Sequence, residues 1–592
     1  MLFRMLVCAL AAIPAVAQVD VLTRRYNNFR NGVNDHEITL NQKNVATGFG
    51  KLWTLYADAK IMAQPLYVSN LVVPPANIYG ATAKVKCAAG CNAVIFATMK
   101  GTVFAYMADQ KPSGMNDTLL WATYLSDAAH CKCSATGPQN GSGNFDMWAV
   151  DDPTWGILGT PVIDRASNSL YAVAWTNDQQ YSLYNLNITT GAVQGGPVTI
   201  QGKIGNQSFA GNTIQQRKQR AGLLLANGLL YVAFGGDVPP GADLLAGWMF
   251  VYDAKTLALK TIWSPTPKGR NAGIWMAGEA PAVDASGNIY LQTGDGDFSP
   301  TTQSFGDSVL QLQYQGSGLA VTGYFAPCNQ MLLQQCDLDH GSSGPVLFNN
   351  LIVGGGKNGK LYLMSTAKMA GYQPGPYPPA AAACMPGEVD CTDSGNLIQK
   401  WQASIGHIHG SPVVWNGPNN QTWLYVMGEG DHLKAFPFQN GSFNVSAVKS
   451  SAWVQPNFNT VPVCQTQANH GMWMPGGYLS ASSNGTMPGT GVVWALVPAN
   501  GDGNSCRGVK AMLMAFKADD VTQELWRSQG HDAAVSDTAN SVGLLARFNP
   551  PIIANGRVFV GTAGDAEPLQ RYGGPRPFAP NINYYLAVYG LK

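Results

Sequence analysis

The chain has 592 residues, 46% of them hydrophobic and only 12% charged, with a formal net charge of +1. That composition is too apolar and aromatic for a disordered chain. Without a run of Lys or Arg it also argues against nucleic acid or an anionic membrane surface as a partner.

The N-terminus combines Arg4, an apolar stretch from Met5 to Ile13 and the small residues Ala15-Val16-Ala17. This is the pattern of an export signal cleaved after Ala17, so residues 1–17 are assigned to a signal peptide and 18–592 to a single folded domain. No later apolar run approaches the ~20 residues of a transmembrane helix. The expectation is a secreted or periplasmic protein with no transmembrane segment. Removing Cys8 leaves ten of the eleven cysteines, an even number suited to disulfides in an oxidising compartment. Sequence proximity suggests Cys87 with Cys91, Cys328 with Cys336 and Cys384 with Cys391, although spacing alone does not fix connectivity.

Beyond the signal, one unit recurs. A polar lead-in and a Pro or Gly precede an apolar strand. A second strand, a glycine turn, a third alternating strand and often a fourth strand with tryptophan follow. "LGTPVID", "AGEAPAVDASGNIYLQTG", "SSGPVLFNNLIVGGGKNGKLYLM" and "HGSPVVW" begin four such units. Strand openings fall at Pro65, Pro161, Gly222, Pro281, Pro345, Pro412, Pro475 and Pro551, roughly 60–75 residues apart after a longer first interval. That interval contains a polar, glycine-rich stretch, read as an inserted loop around 126–155. Gly101, Gly359 and Gly430 sit where tight hairpins require positive φ. Small antiparallel sheets repeated in this way bury their faces only against one another, which predicts an all-β, eight-bladed propeller. The last unit ends at "NYYLAVYGLK" without a fourth strand, and "FGKLWTLYAD" ahead of the first unit supplies one. Trp53 then matches Trp121, Trp263, Trp401 and Trp526, so the N-terminal strand is expected to complete the last blade.

The segments "GTVFAYMAD", "LLWATYL" and "GVKAMLMAFKADDVTQELWRS" resemble the repeat of the pyrroloquinoline-quinone (PQQ)-like propellers. These include quinoprotein alcohol dehydrogenases, outer-membrane assembly lipoproteins and exported bacterial proteins without established activity. The resemblance implies the eight-bladed fold. For the dehydrogenases it implies PQQ held between adjacent cysteines and a tryptophan, with Ca²⁺ and an aspartate base. This chain has no Cys-Cys dipeptide, and residues 187–196 echo the family's tryptophan-docking repeat without the tryptophan.

In a propeller the lead-ins converge at the mouth of the central channel. Those of the fourth to eighth units carry Trp275 and Glu279; Asp337, Asp339 and His340; His407 and His409; His470, Met472 and Trp473; and Arg547 and Asn549. Four of the eight histidines thus meet at one topological location. Neutral imidazoles and carboxylates there suit a divalent metal, with His340, His409 and His470 as candidate ligands. Alternatively they supply acid–base groups, with Trp275 and Trp473 for stacking and Arg547 for an anion. A third reading is that polar lead-ins only satisfy the backbone, in part through ordered water. Two motifs are set aside. "GGGKNGKL" runs into a strand rather than a helix and is a hairpin, not a phosphate loop. Asp295, Asp297 and Asp307 lack the pattern of an EF loop and read as a solvated loop. The functional expectation is a binding or scaffold module for a small-molecule ligand or an exported protein partner. The alternative is a PQQ-dependent oxidoreductase acting on alcohols or sugars.

Overall fold

Each repeat folds as a four-stranded antiparallel sheet, and eight such blades form the ring of a propeller. The computed structural model describes residues 19–87, 89–125, 155–176, 180–210, 217–236, 247–375, 391–454, 474–499, 509–528, 539–565 and 582–592. The expected signal peptide and nearly all of the inserted loop lie outside these residues. The first strands are Leu66–Leu71, Val162–Asp164, Leu224–Ala226, Ala282–Val283, Val346–Phe348, Val413–Asn416, Tyr478–Ser482 and Ile552–Ala554. Every one begins within three residues of the position expected from sequence. Gly101, Gly359 and Gly430 have φ of 89°, 72° and 63°, as their hairpins require. Among the described residues no helix is long and apolar enough to cross a membrane.

Closure follows the expected register. Strand Phe49–Ala57 pairs antiparallel with Tyr584–Leu591, Trp53 opposite Val588, and so becomes the fourth strand of the last blade. Neighbouring blades are tied by a repeated device: an aromatic side chain donates to the carbonyl just after the third strand of the next blade. Trp121 Nε1 reaches Ile188 O at 2.8 Å, Tyr171 Oη reaches Ala254 O at 2.8 Å, and Tyr425 Oη reaches Ala518 O at 2.6 Å. The polar tip is thereby satisfied while the ring fills the space between two sheets.

A second device was not anticipated. Before the closing strand, the chain between Val21 and Asn34 visits the first strand of all eight blades. Val21 bridges Tyr67, and Ile163 N donates to Leu22 O. Asn28 Nδ2 donates to Leu225 O. Val283, Leu347, Val414 and Ala481 donate their N–H groups to the carbonyls of Asn28, Phe29, Asn31 and Gly32. Tyr26 Oη accepts from Ile553 N at 2.8 Å. This segment therefore plugs the channel between the first strands, its side chains reaching the lead-ins of blades 4, 6 and 8. Its Arg24, Arg25 and Arg30 are buried to within 1% exposure. They donate to Phe548 O, Leu479 O, Ser411 O, Pro412 O and Pro281 O.

Two disulfides join described residues. Cys87–Cys91 is as expected, whereas Cys328 bonds Cys391, not Cys336, so Cys391 is not the partner of Cys384. Cys336 is itself disulfide-bonded. Proximity in sequence misled because the helix Gln330–Gln335 separates Cys328 from Cys336. Cys328 instead meets the chain entering the outer strand of blade 5, where Asp393 accepts from its N–H at 2.8 Å. Replacing Cys328 and Cys391 together by serine is expected to destabilise the protein by about 2–4 kcal/mol, since the bridge closes a long loop. The urea unfolding midpoint of the double variant, against that of the same change at Cys87 and Cys91, measures it.

Candidate functional site

In every blade the second strand returns antiparallel to the first. The hairpin joining strands two and three therefore lies beside the lead-in, and the two together build the channel mouth. In blade 6, strand Val413–Asn416 is preceded by His407 and His409, and the hairpin after Thr422–Val426 carries Glu429. Glu429 N donates to His407 O at 2.9 Å. Gly406 permits this approach, because a Cβ there would lie 2.2 Å from Glu429 O. The two imidazoles share a side, as alternate residues of an extended chain must, with ring centroids 5.8 Å apart. His409 Nε2 lies 2.9 Å from Glu429 Oε1 and His407 Nδ1 3.6 Å from Glu429 Oε2. His409 and Glu429 are 1% and 2% exposed, His407 25%.

Blade 5 repeats the construction with other chemistry. Asp337 and Asp339 stand in its lead-in and Lys357 in its hairpin; Lys357 Nζ lies 2.6 Å from Asp337 Oδ1 and 2.5 Å from Asp339 Oδ2. The hairpin side of blade 4 adds Asp295, whose N–H donates to Asp339 Oδ1 at 2.9 Å. Asp307 accepts from His340 N at 3.0 Å. Asp295 and Asp307 are therefore not a solvated loop: Asp307 is wholly buried and its carboxylate converges with those of Asp295 and Asp339. Burial first, then the charge of Asp339, raises both well above the usual carboxylate range. For Asp339 burial pulls the carboxyl up, but the Lys357 ammonium together with the N–H groups of Asp295 and Trp275 holds it low.

The lead-in residues named from sequence divide into three groups. Trp275, His407, His409 and Arg547 do meet at the mouth. Trp275 lies 5.9 Å from the His409 ring and 6.3 Å from Phe548. Burial first, then the neighbouring His407, Lys357, Arg220 and Arg547, holds His409 well below its ordinary pKa. Glu279 and His340 do not join this group. Glu279 turns to the plug, 3.0 Å from an Arg24 nitrogen and 3.8 Å from Arg25 Nε, at 1% exposure. His340 packs between Phe325 and Tyr362, 6.2 and 5.2 Å from their rings, and burial lowers its pKa to about 3. It belongs to neither group of converging ligand atoms, which are His407/His409/Glu429 and Asp295/Asp307/Asp339 among the described residues. His470 and Trp473 lie outside the described residues.

Sequence reasoning missed Glu429, Lys357, Arg220 and Phe548. Arg220, 6% exposed, stacks its guanidinium 4.6 Å from the Phe548 ring centre. All four were signalled by position alone: Glu429 and Lys357 sit in second-to-third-strand hairpins, and Arg220 and Phe548 in the lead-ins of blades 3 and 8.

The PQQ and Ca²⁺ implied by the resemblance can be tested against this arrangement. A planar quinone needs a bare tryptophan face and Ca²⁺ needs available carboxylates. Trp275 is flanked by His409 and by Lys357 Nζ, 5.7 Å from its ring centre. The Asp339 carboxylate already holds Lys357 as its cation. These residues do not fit that cofactor pair.

No protein-family model matches the chain, and no curated protein matches its sequence. Solved structures share its fold. A quinohemoprotein alcohol dehydrogenase from Pseudomonas putida HK5 is similar with a TM-score of 0.51 at 10% identity, over 97% of this chain and 80% of that one. A quinohemoprotein alcohol dehydrogenase from Comamonas testosteroni gives 0.49 at 12%, over 97% and 81%. BamB from Moraxella catarrhalis gives 0.43 at 11%, over 92% and 100%. At such identities the likeness is one of fold.

Proposed function

We propose that this chain is an exported binding module that takes a small acidic ligand at the lead-in end of its channel. One observation carries the reading. Positive groups gather around His409 at the lead-in end: Lys357 lies over the Trp275 ring and Arg220 over the Phe548 ring, and both rings stand beside His409, with Arg547 acting on the same imidazole. Convergent buried polar groups in a concave site are what orient a small ligand, and guanidinium groups select carboxylate or phosphate.

The reading is tested by calorimetric titration with a panel of small carboxylates and inorganic phosphate, PQQ with Ca²⁺ included as the redox-active member. Uptake of a panel anion is expected, weakened about 10- to 100-fold by Arg547→Gln, the worth of a charge-assisted hydrogen bond. No uptake of any member, or uptake indifferent to Arg547→Gln and Arg220→Gln, overturns it. Retention of PQQ with dye reduction by alcohols or sugars favours the oxidoreductase instead.

A further inference from the structure

We propose that His407, His409 and Glu429 form a binding site for one divalent first-row transition-metal ion. The proposal deepens the reading of the channel mouth as a ligand site, because the ion would present an open coordination position to an acidic ligand.

The argument is geometric. One ligand atom from each of the three residues lies within 4.8 Å of the other two. Ligands at about 2.1 Å from a common ion stand about 3.0–3.5 Å apart, depending on coordination geometry. Each imidazole stands near that distance from one oxygen of the carboxylate, His409 Nε2 2.9 Å from Oε1 and His407 Nδ1 3.6 Å from Oε2 of Glu429. Two imidazoles and a carboxylate are a donor set of intermediate softness that suits Zn²⁺, Co²⁺ or Fe²⁺ rather than Ca²⁺.

His409 presents Nε2 to Glu429, and its Nδ1 is buried without a hydrogen-bond partner. His407 retains a 25% exposed side chain, so the proposed site is not sealed from solvent. Arg220, Arg547 and Lys357 oppose a bare cation, while Glu429 and an acidic ligand completing the coordination sphere offset them.

The test is titration of the mature, chelator-stripped protein with Co²⁺ alone, read by visible ligand-field absorption and calorimetry. One equivalent is expected to bind. His407→Ala and Glu429→Gln should each weaken binding by more than the ~10–100-fold typical of outer-shell changes. His36→Ala, at an exposed imidazole beside Asp35, is expected to change nothing. Circular dichroism verifies that each variant is folded. His407 is partly exposed, so its replacement keeps the test available should Glu429→Gln fail to fold. No ligand-field absorption at equimolar Co²⁺, or equal binding by wild type and a folded His407→Ala, overturns the proposal. Because Co²⁺ is titrated without any organic anion, this failure is separate from failure of the anion panel on chelator-stripped protein.

Discussion

Replacing Glu279 by glutamine is expected to lower stability at neutral pH by about 3–5 kcal/mol, the usual consequence of leaving buried charge without its partner. Glu279 is the carboxylate beside both Arg24 and Arg25, and its charge also acts on Arg30. Arg25 Nε and one Arg30 terminal nitrogen are buried without a hydrogen bond, so the nearby negative charge is what makes their burial tolerable. Burial alone would raise the Glu279 carboxyl, but the Arg24, Arg25 and Arg30 guanidiniums hold it below its ordinary value of 4.5. The sign of the pH dependence follows. A carboxyl depressed by folding contributes stability that is present above its unfolded pKa and lost as pH falls through the folded one. Wild type and Glu279→Gln should therefore differ most at neutral pH, the difference shrinking as pH falls below about 4.5 and vanishing only below the depressed folded pKa. Urea unfolding of both across that range measures the effect. Equal midpoints at pH 7 would show that the plug does not depend on this ion pair.

Opening the ring is expected to be costlier still. A chain ending at residue 582 loses Tyr584–Leu591, which pairs with Arg557–Gly561 on one side and Phe49–Ala57 on the other. Leu586, Val588 and Tyr589 are fully buried. At about 1.5–3 kcal/mol each, these three side chains approach the whole net stability of ~5–15 kcal/mol. The closing strand is also left with an unpaired edge, a template for association. The truncated chain should be recovered as aggregate, and Val588→Asp, opposite Trp53, should reproduce the defect from one position. Soluble recovery and light scattering against wild type decide the matter. A soluble, cooperatively unfolding truncated chain would mean that the ring does not need this strand.

How far the sequence reaches is visible in particular residues. Trp53, Trp121, Trp263, Trp401 and Trp526 all lie in outermost strands, because strand order and side-chain alternation are local properties repeated along the chain. Trp275, His407, His409 and Arg547 come together because each stands ahead of a first strand. The lead-ins were only half of the site, however. Glu429 and Lys357 come from hairpins that are ordinary tight turns in the sequence, and Asp307 came from a stretch that reads as solvated.

The sequence by itself determined the number of blades, where each begins, and which strand seals the circle, since periodicity and alternation are written residue by residue. Only the tertiary structure decided the plug, the direction of Glu279 and His340, and the pairing of Cys328 with Cys391. The physical reason is the same in each case. Arg25, Tyr26 and Arg30 take left-handed φ of 62°, 71° and 61°, a conformation that side chains adopt at a cost unless surrounding contacts impose it. The partners of Arg25 and Arg30 are backbone carbonyls hundreds of residues away, and that of Tyr26 is the equally distant N–H of Ile553. Such contacts carry no period and no side-chain signature, so they appear only once the ring has brought the blades together.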